Sequence, residues 1–360
     1  MKVLVTIPSS ELVGGVANYF RELRPHLPGE VEYFVVGARD QERGTMHRLA
    51  RLLEDYGRLI STLQRGHYDL VHINPSLLYG AFLRDGLSLL IAKLHRKPVV
   101  VMFHGWDKAF ERTIEHHLLW LFRLIYGNAK VFVVLADEFK EKLRRWGCRQ
   151  PIIVETMIVD DGVMDIPSDA LSTKRKDSST LNVLFLARVE KEKGIYETLD
   201  AFATLKEGMP HARLVIAGDG PELLPAMGYA RDRGINGIKF LGFVAGKQKE
   251  EVFVRGHVYL FPTYGEGMPN SVLEAMAYGL PVITRPVGGL RDFFEDGRMG
   301  YLTESLDPKV FAELVGKLAG DMRLRETMGE YNRHYARERF AASKVAARLE
   351  NIYASVLAVR

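Results

Sequence analysis

The sequence has little that is typical of a disulfide-stabilised, secreted or membrane-spanning protein. Its 360 residues include a single cysteine, Cys148, so no internal disulfide can form and a reducing compartment is expected. No apolar run approaches the roughly 18 residues that a membrane-spanning helix needs. The opening run M-K-V-L-V-T-I has the length of a strand and lacks the longer apolar core of a signal peptide. We therefore expect a cytoplasmic protein.

Charge and histidine spacing argue against two further classes. The formal net charge is +4, with a similar small excess in each half of the chain, so the basic tail or face that is typical of nucleic-acid-binding proteins is missing. The eleven histidines form no spaced zinc motif. The pair Asp160-Asp161 lies in a linker-like stretch and is a poor metal motif. We therefore predict no metal site, no cofactor and no nucleic-acid partner.

The order of strand-like and helix-like segments predicts the fold class. A chain of this length is too long for one ordinary core, so two domains are expected. Strands and helices alternate with short connections, which indicates doubly wound parallel α/β sheets. The alternation stops between Asp160 and Thr180, where Asp, Ser, Lys and Thr dominate, and then restarts. This predicts domains over residues 1–165 and 166–340, followed by a helical end over 341–360 with a break near Phe340.

The most informative stretch is F-P-T-Y-G-E-G-M-P-N-S-V-L-E-A-M-A-Y-G-L-P-V-I-T, at 261–284. It predicts the end of a buried strand, a turn-rich loop, a helix from about 270 to 278, and another strand. Glu266 lies in the loop and Glu274 in the helix. Glycines leave little side chain between them, and the start of the helix directs backbone N–H groups at the gap. Such a site suits a ligand that carries both negative charge and many hydroxyls.

Ligands of open α/β sheets bind beyond the carboxyl ends of the strands, so three further loops are candidates. Gly14 and Gly15 would let the backbone approach a phosphate, with a plain turn as the alternative. His104 directly follows a predicted strand, and its alternative role is a structural strand cap. Arg188 and Lys193 also follow a strand and would neutralise a diphosphate. Their alternative role is to belong to a solvated charged loop.

With these residues assembled, the chain resembles the retaining glycosyltransferases of family 4, also called glycosyl transferases group 1, which have the GT-B fold. The likeness spans essentially the whole chain and is strongest from Leu184 to Leu302. It rests on L-F-L-A-R-V-E-K-E-K-G, L-V-I-A-G-D-G-P-E, I-K-F-L-G-F-V, E-G-M-P-N-S-V-L-E-A-M-A-Y-G-L-P-V-I and G-G-L-R-D-F-F-E-D-G-R-M-G-Y-L. The resemblance implies an N-terminal Rossmann-like acceptor domain and a C-terminal Rossmann-like donor domain that face a cleft. It also implies a last helix that returns to the first domain.

The resemblance further implies an activity and its partners. The expected reaction is retaining, metal-independent transfer of a sugar from a nucleoside diphosphate sugar to an acceptor hydroxyl, in polysaccharide, lipopolysaccharide or glycolipid assembly. A nucleotide-sugar epimerase or phosphorylase-like enzyme, or a non-catalytic sugar-nucleotide-binding protein, is the alternative. The acceptor would be a sugar or a lipid-linked sugar. The apolar-basic stretches Leu87–Lys97 and Leu118–Arg123 could place the protein peripherally at the inner face of a membrane, or could simply be helices that pack on the sheet.

Residue roles are carried over from the resemblance position by position. Arg188 and Lys193 would hold the donor diphosphate, Glu274 the ribose and Glu266 the sugar hydroxyls, while His104 would reach the sugar or the leaving phosphate. The catalytic set is therefore Glu266, His104, Arg188 and Lys193. The remaining donor-binding positions are Gly14, Gly15, Val244, Gly267, Met268, Pro269, Asn270 and Ser271. The chain departs from the family in having E-T-M-I-V-D where P-N-G-V-D is common, and Ala187 where glycine is common.

Overall fold

Two sheets of parallel strands organise the chain. The computed structural model describes residues 1–8, 15–27, 29–37, 45–167, 171 and 180–358. Contacts between residues divide the chain into unit 1, which comprises Met1–Ile158 and Ala342–Arg360, and unit 2, which comprises Val159–Ala341. The sequence predicts domain borders at 165 and 340, so the first border in the structure falls somewhat earlier in the chain.

Unit 1 contains a six-stranded parallel sheet with the strand order β2-β1-β3-β5-β7-β8. Strands β3, β5 and β7 are buried along their whole length, because their apolar runs lie between helices on both faces of the sheet. The short strands β4 and β6 pair with each other. The bounds are β1 Lys2–Ile7, β2 Glu30–Val35, β3 Leu70–Ile73, β4 Ser76–Leu77, β5 Val99–Met102, β6 Gly105–Trp106, β7 Val131–Val134 and β8 Ile152–Val154.

Helices connect these strands and bury their apolar sides against the sheet. The helices are α1 Gly15–Leu23, α2 Thr45–Arg65, α3 Tyr79–Leu94, α4 Lys108–Thr113, α5 Leu119–Tyr126 and α6 Asp137–Arg145. A 3₁₀ turn at Arg24–His26 extends α1, and a π-helical segment at Ile114–Leu118 joins α4 to α5. The core beneath them is rich in aromatic rings, including Phe82, Phe122 and Trp146.

Unit 2 contains a second six-stranded parallel sheet, with the strand order β11-β10-β9-β12-β13-β14. Counted from β9, the chain builds one half of this sheet outwards and then returns to β12 to build the other half. The carboxyl ends of β9 and β12 therefore form the topological switch point, where connections leave in opposite directions and a ligand crevice opens. The bounds are β9 Asn182–Leu186, β10 Arg213–Ala217, β11 Ile238–Phe240, β12 Val258–Phe261, β13 Val282–Thr284 and β14 Gly300–Leu302.

The helices of unit 2 include the one predicted after Asn270. They are α7 Asp161–Asp165, α8 Ile195–Gly208, α9 Leu223–Asp232, α10 Gly246–Arg255, α11 Asn270–Ala277, α12 Leu290–Phe293, α13 Pro308–Gly320 and α14 Met322–Arg339. A 3₁₀ turn at Lys191–Lys193 precedes α8. The predicted alternation of strands and helices is confirmed, as is the break near Phe340, where α14 ends.

The last helix, α15 (Ala342–Ala358), belongs to unit 1. Arg348 forms two hydrogen bonds of 2.9 and 3.0 Å with the buried Glu155 carboxylate, which follows β8. The Tyr353 hydroxyl lies 2.6 Å from Nδ1 of His72, on β3. Apolar residues of the helix are buried as well. The return of the C-terminal helix to the first domain, predicted with the fold class, is confirmed.

Glycines let the loops at the carboxyl edge of the second sheet approach one another. Gly218 has a φ of +141°, and a Cβ atom built there would lie 1.8 Å from the carbonyl oxygen of Ala187. Gly218 N also donates a 2.7 Å hydrogen bond to the carbonyl oxygen of Gly242. The loops that follow β9, β10 and β11 therefore meet at a point where no side chain fits.

Replacing Gly218 by alanine is expected to destabilise unit 2. The new methyl group must displace backbone and adopt a φ that alanine disfavours, so we expect the free energy of unfolding to fall by about 3 kcal/mol or more. Gly208→Ala is the matched control. That glycine ends α8 and has no atom within 4 Å of an added Cβ, so alanine there should be neutral or stabilising by up to about 1 kcal/mol. Urea unfolding of both variants measures the difference, and equal stability would contradict the close approach.

Candidate active site

The loops after β9 and β12 meet at the switch point of the second sheet. Gly194 has a φ of +77°, and a Cβ atom there would lie 2.3 Å from the carbonyl oxygen of Pro262. The backbone N–H of Tyr264 donates a 2.8 Å hydrogen bond to the carbonyl oxygen of Glu192. This contact brings Lys193 of the first loop and Glu266 of the second to a distance of 2.5 Å between Nζ and Oε1.

The Lys193–Glu266 ion pair is partly shielded from solvent. The side chains are 23% and 14% exposed, respectively. The hydroxyl of the buried Thr263 lies 3.3 Å from the same Glu266 oxygen. The same hydroxyl lies 3.2 Å from the carbonyl oxygen of Glu192. The carboxylate oxygen is therefore positioned by a cation and a neighbouring hydroxyl where the two loops meet.

A third loop, after β13, supports the Glu266 backbone. Gly289 N donates a 2.7 Å hydrogen bond to the carbonyl oxygen of Gly267. Gly288 has a φ of +49°, and a Cβ atom there would lie 2.2 Å from the carbonyl oxygen of Glu266. The backbone from Glu266 to Gly267 is thus also held by the loop after β13, through a close approach that only glycine permits.

Glu274 lies on the one partly exposed side of α11, because its neighbours Val272, Leu273, Ala275 and Met276 are buried in the core. Its carboxylate accepts a 2.7 Å bond from Nζ of Lys249, on α10. One turn earlier, Ser271 Oγ lies 2.6 Å from the hydroxyl of Tyr259. The first turn of the helix, including the predicted positions Asn270 and Ser271, leaves amide N–H groups without intrahelical acceptors. Glu274 and these amides therefore belong to one short helix.

Arg188 and Val244 are placed differently from Lys193. The Arg188 side chain is 70% exposed, and its Nε lies 3.1 Å from Oε1 of Glu190. Exposed ion pairs contribute little free energy, so a multiply charged anion could replace Glu190 at small cost. Val244 is buried in the loop before α10, next to the Gly242 carbonyl that bonds to Gly218. The structure thus brings together Lys193, Glu266 and Thr263, while Arg188 keeps a local partner.

His104 lies in unit 1, just beyond β5. Its Nε2 is 3.0 Å from Oδ1 of Asn74, and the rings of Tyr19 and Phe20 stand edge-on to it, with centroids 4.9 and 6.0 Å away. Asn74 in turn donates from Nδ2 to the carbonyl oxygen of Thr6 at 2.9 Å. Because the amide nitrogen faces that carbonyl, the amide oxygen faces His104, so Nε2 carries the proton and Nδ1 is left as an acceptor.

Burial keeps His104 and its neighbour His72 neutral. The pKa of each imidazole is lowered from 6.5 to about 3, mainly by desolvation, and for His72 the proximity of His104 contributes to this shift. Gly15, the other predicted residue in unit 1, opens α1 with no atom within 4 Å of an added Cβ. Gly14 lies outside the described residues. Across the described part of the chain, no three His, Cys, Asp or Glu side chains are grouped closely enough to hold a metal ion.

Three residues that support the site in unit 2 were not predicted from the sequence. Lys249 pairs with Glu274 but lies in K-Q-K-E-E, which is typical of an ordinary solvated helix. Thr263 touches Glu266 from inside the predicted loop. Gly288 supports that loop from a distant part of the sequence, within a run noticed only for its family likeness.

Comparison with known proteins identifies the family. The family model for Glycosyltransferase Family 4 matches residues 13–155, and that for Glycosyl transferases group 1 matches residues 171–335. The D-inositol 3-phosphate glycosyltransferase of Corynebacterium aurimucosum is 31% identical over 314 residues, which cover 81% of this chain and 73% of that protein. The chain belongs to the family 4 glycosyltransferases. The prediction of a glycosyltransferase is therefore confirmed, and the comparisons lend no support to the epimerase, phosphorylase or non-catalytic alternatives.

Other relatives differ in substrate and in the extent of the match. The alpha-D-kanosaminyltransferase of Streptomyces kanamyceticus is 24% identical over 286 residues, which cover 74% of this chain and 73% of that protein. The capsular polysaccharide biosynthesis glycosyltransferase CapM of Staphylococcus aureus is 28% identical over 185 residues, 48% of this chain and 46% of CapM. Several relatives therefore align over less than half of their own length.

Solved structures confirm the fold class. HepE of Anabaena, solved in complex with UDP and glucose, has a TM-score of 0.76 at 18% identity, over 99% of this chain and all of that one. WaaG, a glycosyltransferase involved in lipopolysaccharide biosynthesis, has a TM-score of 0.68 at 18% identity, over 98% and 99% of the two chains. At this level of identity the likeness establishes the GT-B fold, as predicted.

The two buried imidazoles are expected to make unit 1 sensitive to acid. Because their folded-state pKa of about 3 lies below the ordinary 6.5, the unfolded chain binds protons that the folded chain does not as the pH falls between these values. Their effect is therefore absent above pH 6.5, and stability is lost on acidification. Each histidine should cost roughly 1–2 kcal/mol between about pH 7 and about pH 5.

In the variant His104→Gln, the stability lost between about pH 7 and about pH 5 should be smaller by that amount, because glutamine does not titrate. His116→Gln is the matched control, since His116 is exposed and its replacement should leave the pH dependence unchanged. Urea unfolding at the two pH values measures each difference. Because His72 still titrates, part of the pH dependence should remain, and a loss in His104→Gln as large as that of the wild type would contradict the burial of a neutral imidazole at His104.

Proposed function

We propose that this family 4 glycosyltransferase moves a sugar from a nucleoside diphosphate sugar to an acceptor hydroxyl, with retention of anomeric configuration and without a metal ion. The observation that carries the proposal is the pair of lysine–carboxylate contacts at the switch point of unit 2, Lys193 with Glu266 and Lys249 with Glu274. Carboxylates suit ribose and sugar hydroxyls, while cations suit a diphosphate. The UDP and glucose in the structure of HepE support this assignment.

Lys193 is proposed to exchange its partner when the donor binds. A diphosphate carries more charge than one carboxylate, so it competes effectively for a half-buried ammonium group. Transfer of Lys193 to the phosphates would release Glu266 to accept hydrogen bonds from the sugar hydroxyls. Arg188, whose exposed pair with Glu190 costs little to break, is proposed to join Lys193 on the diphosphate.

The remaining donor-binding roles follow from position. Glu274, held by Lys249, is proposed to accept hydrogen bonds from the ribose. The backbone of Val244 is proposed to lie against the base. Two sets of backbone groups complete the proposed donor site: those of Gly267, Met268, Pro269, Asn270 and Ser271 around the sugar and phosphates, and those of Gly14 and Gly15 at the phosphates.

His104 is proposed to contact the sugar rather than the leaving phosphate. Its Nε2 proton is engaged by Asn74, so Nδ1, which is buried and has no hydrogen-bond partner among the described residues, is the nitrogen left to accept a hydrogen bond. An accepting nitrogen suits a sugar hydroxyl and is unsuited to a phosphate oxygen, which has no proton to donate when ionised. The low pKa of His104 keeps the imidazole neutral in this role.

The chemical step is proposed to take place on one face of the sugar. The bond between the anomeric carbon and the diphosphate oxygen breaks, and its electron pair leaves with the diphosphate. Lys193 and Arg188 stabilise the negative charge that develops there. The acceptor hydroxyl oxygen forms the new bond on the same face and passes its proton to the leaving phosphate oxygen. Glu266, released by Lys193, serves as a hydrogen-bond acceptor for the sugar hydroxyls.

A screen over nucleotide sugars tests the function directly. Binding of the true nucleoside diphosphate and donor should raise the melting temperature, because ligands stabilise the folded state. With that donor and sugar acceptors, proton NMR of the product should show the anomeric coupling of the donor retained, and turnover should persist in EDTA. An inverted product, or activity that EDTA abolishes, would refute the corresponding part of the proposal.

Loss of either cation is expected to reduce turnover. Lys193→Ala and Arg188→Ala should each lower kcat by about 100-fold or more, the scale of losing one preorganised charge-stabilising group. Lys191→Ala is the matched control, since Lys191 belongs to the same 3₁₀ turn but is exposed and lies 3.7 Å from Glu222. Its effect should stay within about threefold. Steady-state kinetics with saturating donor measure the three variants, and a normal kcat for both Lys193→Ala and Arg188→Ala would overturn the diphosphate assignment.

A further inference from the structure

The solvent side of α3 is apolar along its length. Tyr79, Leu83, Leu87 and Leu94 recur at intervals of four and seven, which places them on one face of the helix. All four are exposed, Leu94 to 81%. In α5, Trp120 and Leu124 are four residues apart, and both are exposed, Trp120 to 65%. These six residues are called the apolar face below.

The two helices lie directly beside each other. The Tyr126 hydroxyl of α5 donates a 2.8 Å hydrogen bond to the carbonyl oxygen of Phe82 in α3. A Cβ atom added to Gly86 would lie 2.9 Å from a methyl group of Ile125. The inner sides of both helices are buried in the aromatic core. The apolar residues on the outer sides leave much of their surface exposed to solvent, although the Tyr79 ring also lies edge-on to Phe110, with ring centroids 5.7 Å apart.

Exposed basic residues lie beside this face. Lys93 is in the last turn of α3, and Arg96 comes just after it. The sequence of α5 contains no Asp or Glu, and the one carboxylate of α3, Asp85, is buried and paired with Arg84 at 2.7 Å. Glu115, in the π-helical segment before α5, is paired with Lys142 at 2.8 Å.

We propose that the apolar face docks peripherally on an anionic lipid surface. Basic groups complement lipid phosphates, and exposed Trp and Tyr side chains suit the boundary between headgroups and acyl chains. A second copy of the chain is disfavoured as the occupant, because a twofold interface would set the same basic groups against one another. No helix in the described part of the chain is long and apolar enough to cross a membrane, so the contact lies at the surface.

This inference goes beyond the proposed function and does not depend on it. Lipid binding needs neither a donor nor turnover, so a failed transfer assay leaves it standing and a failed lipid assay leaves the transferase assignment standing. Together the two proposals favour an acceptor that is itself held at a membrane. That acceptor would reach the enzyme by diffusion in two dimensions.

Co-sedimentation with vesicles tests the proposed face. The full chain should sediment with vesicles of phosphatidylglycerol and phosphatidylcholine, bind less at high salt, and stay in solution with phosphatidylcholine alone. The double variant Leu83→Glu/Leu87→Glu should lower the binding constant by about 10-fold or more, since two apolar contacts are lost and two negative charges are added. A matched control is Leu224→Glu/Met227→Glu on α9 of unit 2, where Leu224 is 77% exposed.

Three results of that assay would overturn the proposal. In the first, the wild-type protein stays in solution with anionic vesicles. In the second, the Leu83→Glu/Leu87→Glu variant binds as well as the wild type. In the third, the Leu224→Glu/Met227→Glu control loses as much binding as the Leu83→Glu/Leu87→Glu variant. Unchanged melting temperatures would show that each variant remains folded. Light scattering coupled to size exclusion adds a fourth: a wild-type dimer that Leu83→Glu/Leu87→Glu dissociates would assign the face to a second copy.

Trp120 supplies an independent readout. Lipids brominated on the acyl chain should quench part of the tryptophan fluorescence on binding, and Trp120→Phe should remove that quenching. The other two tryptophans, Trp106 and Trp146, stack within unit 1 and should be unaffected. Quenching that persists in Trp120→Phe would refute the placement of α5 at the lipid surface.

Discussion

The ion pair between Lys193 and Glu266 is the interaction on which the site in unit 2 depends. Parallel strands bring the loops after β9 and β12 together at the switch point, and each loop contributes one charge. Without a ligand, these opposite charges neutralise each other and limit the cost of partial burial. In the proposed function, the same pairing keeps an ammonium group ready for a diphosphate and a carboxylate ready for hydroxyls. A charge that is already positioned need not reorganise during reaction, which is the main source of electrostatic catalysis.

Backbone contacts that exclude side chains hold these charges in place. At Gly194, Gly218 and Gly288, an added Cβ would lie 1.8 to 2.3 Å from a carbonyl oxygen of a neighbouring loop. Each contact ties together loops that leave the sheet from different strands. The loops are therefore fixed to one another by backbone contacts, and a well-supported backbone is what a precisely placed site requires. These glycines contribute by letting the backbones of neighbouring loops approach closely, and they have no side chain that could take part in a reaction.

Much of this arrangement could be predicted from the sequence, and the rest could not for physical reasons. Apolar runs bounded by turn residues predicted the sheets, and the loop–helix context predicted Glu266 and Glu274. Lys249 escaped notice because its contact with Glu274 depends on tertiary packing, which the polar pattern of α10 does not encode. The ion pair between Arg188 and Glu190 could not be predicted from the sequence either.

In unit 1, the fold and the protonation state of His104 are linked through hydrogen bonds. Asn74 orients its amide by donating to the backbone of β1, and this orientation determines which nitrogen of His104 carries the proton. Asn74 closely follows β3, where the buried His72 meets Tyr353 of the returning helix. The C-terminal helix therefore does more than cover apolar surface. Its Tyr353 is a hydrogen-bond partner of the buried His72, which lies on β3, the strand that leads to Asn74. The orientation of Asn74, and with it the tautomer of His104, therefore depends on a segment that follows the strand contacted by the C-terminal helix.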